Sequence, residues 1–166
     1  MKPRLALALL LVLLGLALPS VAMPRSQGDG RLQSAYEVLL AAKTVSDNAV
    51  GYGATRTKEY DAFETLWLAG KAAVPLATQL CRSGVPAARA YGIILLSGLD
   101  ELAAKRELPR LEDDSTTVLV LSGCIGMPQT IREIAILATQ GGLVITTPKV
   151  LAGGERLPVP PRSLPN

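Results

Sequence analysis

Two groups of acidic residues are the first candidates for chemistry. Glu112, Asp113 and Asp114 are consecutive, and Asp100 and Glu101 are adjacent a little earlier. A pair of carboxylates can cleave a glycosidic bond, one protonating the leaving oxygen while the other serves as base or nucleophile. Adjacent acids at helix starts also serve as caps and as partners of the helix dipole, and that is the reading adopted for both groups. Histidine is absent from all 166 residues. This excludes Ser-His-Asp and Cys-His catalysis, imidazole acid–base work and histidine-bound zinc as single-chain mechanisms.

Other short patterns are weaker. Ser46-Asp47-Asn48 matches one of the three motifs of serine penicillin-recognising enzymes, but the S-x-x-K nucleophile and the K-T-G strand are missing. It is read as part of a loop or helix cap. Gly51-Tyr52-Gly53 lacks the Lys-Ser/Thr of a phosphate loop and reads as a turn. No residue set suits a metal or a cofactor, and none is expected.

Redox chemistry depends on the compartment. Lys2 and Arg4 precede an apolar run over residues 5–18, followed by Pro19, Ser20, Val21 and Ala22. The order of charge, apolar core, helix breaker and small residues is that of a cleavable signal peptide, with cleavage expected after Ala22. The run is too short to cross a bilayer as a helix, which takes about 20 apolar residues, so no stable membrane anchor is expected after cleavage. Export places the protein in the periplasm or outside the cell. In that setting Cys81 and Cys124 are expected to form one disulfide.

Cleavage also removes two of the 17 basic residues, leaving 15 against 14 acids, a mature net charge of +1. The basic residues are scattered, so no nucleic-acid interface is expected.

The elements that would position these groups read as helices. Leu32, Ala35, Tyr36, Leu39 and Leu40 form one apolar stripe at helical spacing. Residues 46–57, with two glycines, Asp47 and Asn48, read as a connection. Tyr60, Phe63, Leu66 and Trp67 line a second helix that ends at Gly70. Helical segments follow over residues 71–82, 86–97 and 101–112. Residues 116–124 contain the apolar run 118–121, which suits a buried strand or a helix; helix is favoured because a lone strand would lack a partner. A last helix covers residues 129–138. Residues 143–147 suit either a strand or a segment lying on the helices.

The expected layout is a signal peptide (1–22), a flexible lead (23–30), a helical domain (31–141) and a Gly/Pro-rich, extended tail (142–166). The fold class expected is all-α: short antiparallel helical hairpins in a small α-solenoid-like array.

Ala73-Val74-Pro75-Leu76 through Leu80, followed by Pro86-Ala87-Ala88-Arg89-Ala90-Tyr91-Gly92-Ile93, resembles one HEAT-type repeat. Residues 101–123 look like a second, degenerate unit, and 58–70 like the inner helix of a preceding one. The spacing between units is near 31 residues, shorter than the roughly 40 of HEAT units. The resemblance covers about residues 58–126 and implies a role in protein interaction. The expected function is therefore an exported, non-enzymatic protein-interaction or envelope accessory module with a protein partner. Trp67 and Tyr91 are the aromatic candidates for its partner surface. The alternatives are a carboxylate-based envelope hydrolase and a binder of a small apolar ligand.

Overall fold

The computed structural model describes residues 27–142 and 144–148. The cleavage site after Ala22, the first part of the lead and the tail from residue 149 onward lie outside the described residues. The chain order is α1 (Gln27–Leu40), β1 (Thr44–Val50), α2 (Lys58–Leu68), a 3-10 turn (Gly70–Ala73), α3 (Val74–Cys81), α4 (Pro86–Leu99), α5 (Glu101–Leu111), β2 (Thr117–Gly123), β3 (Ile125–Thr130) and α6 (Ile131–Thr139). Helix α1 thus begins within the segment expected to be a loose lead. Among the described residues no helix is long and apolar enough to cross a membrane.

The expectation of an all-α fold is overturned by a three-stranded mixed sheet in the order β1-β2-β3. Strand β2 runs parallel to β1, with Val45 beside Val120, and antiparallel to β3, with Val120 beside Met127. Residues 118–121 are therefore strand, not helix. Their β-branched run has two partners that local sequence does not advertise. One is β1, whose Ser46-Asp47-Asn48 core is poor in strand formers. The other is β3, which contains Gly126 and Pro128. A parallel pair needs a long crossover, and α2 through α5 provide it.

Helix α4 is the hub. Ala87, Ala88, Ala90, Tyr91, Gly92, Ile93, Ile94, Leu95 and Leu96 are all buried, so it is apolar around most of its circumference, as suits a central helix, with Arg89 the one charged side chain on it. It packs against α3 closely enough that a Cβ on Gly92 would fall 2.5 Å from the Cys81 amide nitrogen and 2.8 Å from the Ala77 carbonyl oxygen. Only glycine fits there.

Caps mark the helix starts. Thr57 accepts from the Tyr60 amide, and Asp100 accepts from the Ala103 amide at 2.9 Å. Thr130 and Glu133 form a reciprocal capping box at the start of α6. The Thr130 amide holds the Glu133 carboxyl below its ordinary range. This box stops β3 and starts α6 within one residue.

Candidate functional site at the open corner of the sheet

The helices cover one face of the sheet, where Val45, Val118 and Val120 are buried. On the same side, at the ends of the parallel strands, sits the Asp47 carboxylate. Its Oδ1 accepts from the amides of Asn48 (2.7 Å) and Thr146 (2.9 Å), and its Oδ2 accepts from the Ser122 hydroxyl (2.8 Å). Burial by itself would raise the carboxyl; the hydrogen bonds from Asn48, Thr146 and Ser122 outweigh it and hold the group below its ordinary range. The Tyr60 hydroxyl donates to the Thr146 carbonyl at 2.8 Å, and Ile145 is buried. Residues 144–148 are thereby fastened across the end of β1 without joining the sheet. Asp47 has its acceptor capacity taken up by this structure, and the Ser46-Asp47-Asn48 motif lies in a strand rather than a loop or cap.

Asp100, Glu101 and Asp114 are also engaged, while Glu112 and Asp113 are exposed. Asp100 is a cap, and Glu101 pairs with Lys105 at 2.6 Å. Glu112 is the C-cap of α5. Asp114 accepts from Arg89 Nε (2.7 Å) and from the Thr116 amide (3.0 Å), while its carbonyl accepts from the Arg132 amide. The group fastens the entry to β2 against α4 and α6. Among the described residues no cluster of three or more His, Cys, Asp or Glu could hold a metal ion.

The expected disulfide is not formed. Cys81 is buried at the end of α3, under α4, and burial followed by the nearby Glu107 charge pushes its thiol up to about 12. Cys124 is exposed at the tip of the β2–β3 hairpin. The two belong to different layers and both are free thiols. Nothing in the sequence hinted at this, because cysteine count and compartment say nothing about where each side chain points.

Of the two aromatic candidates, Tyr91 has no exposed surface. Its hydroxyl accepts from the Ser46 amide at 2.8 Å, burial pushes the phenol well up, and its ring packs 5.9 Å from Phe63. Tyr91 ties α4 to β1. Trp67 is half-buried, 5.6 Å from Phe63 and directly over Gly98, where a Cβ would lie 2.0 Å from the indole ring. Only Trp67 keeps surface that a partner could reach.

Among the described residues, three exposed large apolar side chains fall on the β2–β3 hairpin, while Tyr52 and Leu102 are exposed singly elsewhere. Leu119 on the outer face of β2 is 41% exposed, and Ile125 and Met127 on β3 are 62% and 48% exposed. Residues 117–130 contain no charged side chain. Beside them, at the carboxyl ends of β1 and β2, an open hollow of about 450 Å³ is lined by Val50, Gly51, Thr55, Leu121, Cys124 and Ile125, among others. Crevices at the carboxyl ends of parallel strands are where open α/β sheets hold ligands. A second hollow of about 430 Å³ lies between α1 and the end of α2, at Leu32, Thr65 and Leu68. The corner was missed in the sequence because it needs β3, and the available signal was the uncharged run from Ser115 to Ile131.

No protein-family model, curated protein or solved structure matches this chain.

Proposed function

We propose that the chain is an exported, non-enzymatic α/β domain that works as a protein-interaction or envelope accessory module, docking through the open corner of its sheet. The observation that carries the reading is the pair of exposed apolar side chains Ile125 and Met127, neighbours on one face of β3 in an uncharged hairpin, with Leu119 exposed on the opposite face. Exposed apolar groups that are contiguous mark contact surfaces, whereas scattered ones need no explanation. Of the acids considered for hydrolysis, Asp100 is engaged as a cap and Glu101 and Asp114 in ion pairs, which favours this reading over a hydrolase. The likeness to HEAT-type repeats is confined to the helical stretch 73–93, since residues 117–123 of the expected second unit are strand β2; that stretch agrees with an interaction role, and the signal-like amino terminus supports export.

The test is capture of partners by the tagged protein from the envelope or medium of the source cell, alongside an Ile125→Lys, Met127→Lys double variant. Specific enrichment that the double variant loses supports the reading. Equal enrichment by both proteins would place any partner surface elsewhere.

A small apolar ligand in the same corner is a second reading, favoured by the hollow, whose volume is within the roughly 300–1,000 Å³ of ligand pockets. An apolar fluorophore that binds stoichiometrically and is unaffected by Met127→Lys would support it.

A further inference from the structure

We propose that the edge of β3, which has no strand partner among the described residues, pairs antiparallel with β3 of a second copy, about a two-fold axis through Gly126, giving a continuous six-stranded sheet. This rests on the interaction reading above and names the partner of that surface.

The register follows from the hairpin. Ser122 pairs with Ile125 across a two-residue loop, Gly123-Cys124, and Gly123 takes φ +54°. A two-residue loop closes on a pair that exchanges both backbone hydrogen bonds, and such pairs alternate along the ladder. The bonded pairs are therefore Ser122–Ile125, Val120–Met127 and Val118–Gln129, and the backbone groups of Gly126 and Pro128 point away from β2. Pro128 has no N–H to lose at that position. The free edge thus offers a donor and an acceptor at Gly126 and an acceptor alone at Pro128.

An axis through Gly126 uses that limited set fully at its centre, each Gly126 N–H meeting the Gly126 carbonyl of the second copy. The same register sets Ile125 against Met127 of the second copy and Met127 against its Ile125. These are the two exposed apolar side chains of β3, and each would cover the other as an apolar cross-strand pair. On the opposite face Gly126 carries no side chain, and Leu121 and Leu119 already reach within 3.1 and 3.4 Å of where its Cβ would be. The leucines would lie along the seam. No charge on residues 117–130 is buried or opposed, so the edge is complementary to itself in a two-fold arrangement. It also lacks the lysines and inward charges that keep edges apart, while Pro128 limits the ladder to a short, closed pairing.

The experiment is sedimentation of the mature protein over a concentration series, with reductant throughout, for the wild type, Met127→Lys, Ile125→Lys and the control Leu102→Lys, which charges an exposed leucine on α5. The expected result is a reversible wild-type dimer, weakened on the order of tenfold or more by either β3 variant and unchanged in the control, with the same melting temperature for all monomers. Hydrogen exchange on the wild type gives a measurement independent of any variant: the Gly126 amide should become protected as concentration rises. A wild type that stays monomeric, a dimer that survives both β3 variants, or a Gly126 amide indifferent to concentration overturns the pairing. A monomeric wild type that still captures another protein through Ile125 and Met127 would leave the interaction reading standing while removing the second copy.

Discussion

The Asp47 carboxylate accepts a hydrogen bond from the Thr146 amide at 2.9 Å, joining residues 99 positions apart. Together with Ser122 and Tyr60 it fixes the segment after α6 to the end of the parallel strand pair. Asp47→Ala would leave the Ser122 hydroxyl and the Thr146 amide without their acceptor, at a cost of roughly 1–3 kcal/mol. Urea denaturation of the two proteins measures the difference. A loss of a few tenths only would mean that water replaces the carboxylate.

The same group predicts a pH dependence. The folded carboxyl lies below the ordinary 3.8 of the unfolded chain, so its stabilising contribution is complete above that value and is lost as pH falls through the folded one. The Asp47→Asn variant should show a shallower decline in stability below about pH 4 than the wild type. Parallel acid limbs for the two proteins would remove Asp47 from the explanation.

Gly92→Ala should destabilise by about 3 kcal/mol or more, because the new methyl meets backbone atoms of α3 that cannot rotate away. Gly98→Ala should cost less, since the obstacle is the ring of half-buried Trp67. With a single tryptophan in the chain, the Gly98 variant should also shift the emission spectrum while Gly92→Ala leaves it near the wild type. The reverse order of stabilities would contradict the packing described for α3 and α4.

The thiols should differ sharply in reactivity. Cys124 is exposed and should react with a maleimide in the native state, while Cys81 should react only after unfolding. Mass analysis should find one adduct before denaturation and two after it, with no 2 Da change on reduction of the monomer. Two native adducts would place Cys81 at the surface, and none would restore the intramolecular bridge.

Tyr91→Phe removes the acceptor of the buried Ser46 amide. The expected loss is roughly 1–3 kcal/mol, the cost of an orphaned donor, with protection of the Ser46 amide falling most in hydrogen exchange. Undiminished protection would show that another group accepts that bond.

The helices were legible because their signals are local. The stripe from Leu32 to Leu40, the prolines opening α3 and α4 and the capping Asp100 each act within a turn or two of chain. The sheet was illegible for the opposite reason. Strand β1 is built on Ser46, Asp47 and Asn48, which favour turns, and it becomes a strand because Tyr91, Ser122 and Thr146 satisfy its polar groups from far along the chain. Strand β3 carries a glycine and a proline that weaken any local strand signal, yet at an edge neither costs a ladder bond.

The open corner inherits that division. That residues 117–130 carry no charge is a property of side chains that needs no fold to read. Which of those side chains face the helices, which face solvent and which thiol reaches the surface are matters of strand register and layer. Alternation has a period of two residues, and only the tertiary pairing of β2 with β1 and β3 chooses between its two phases.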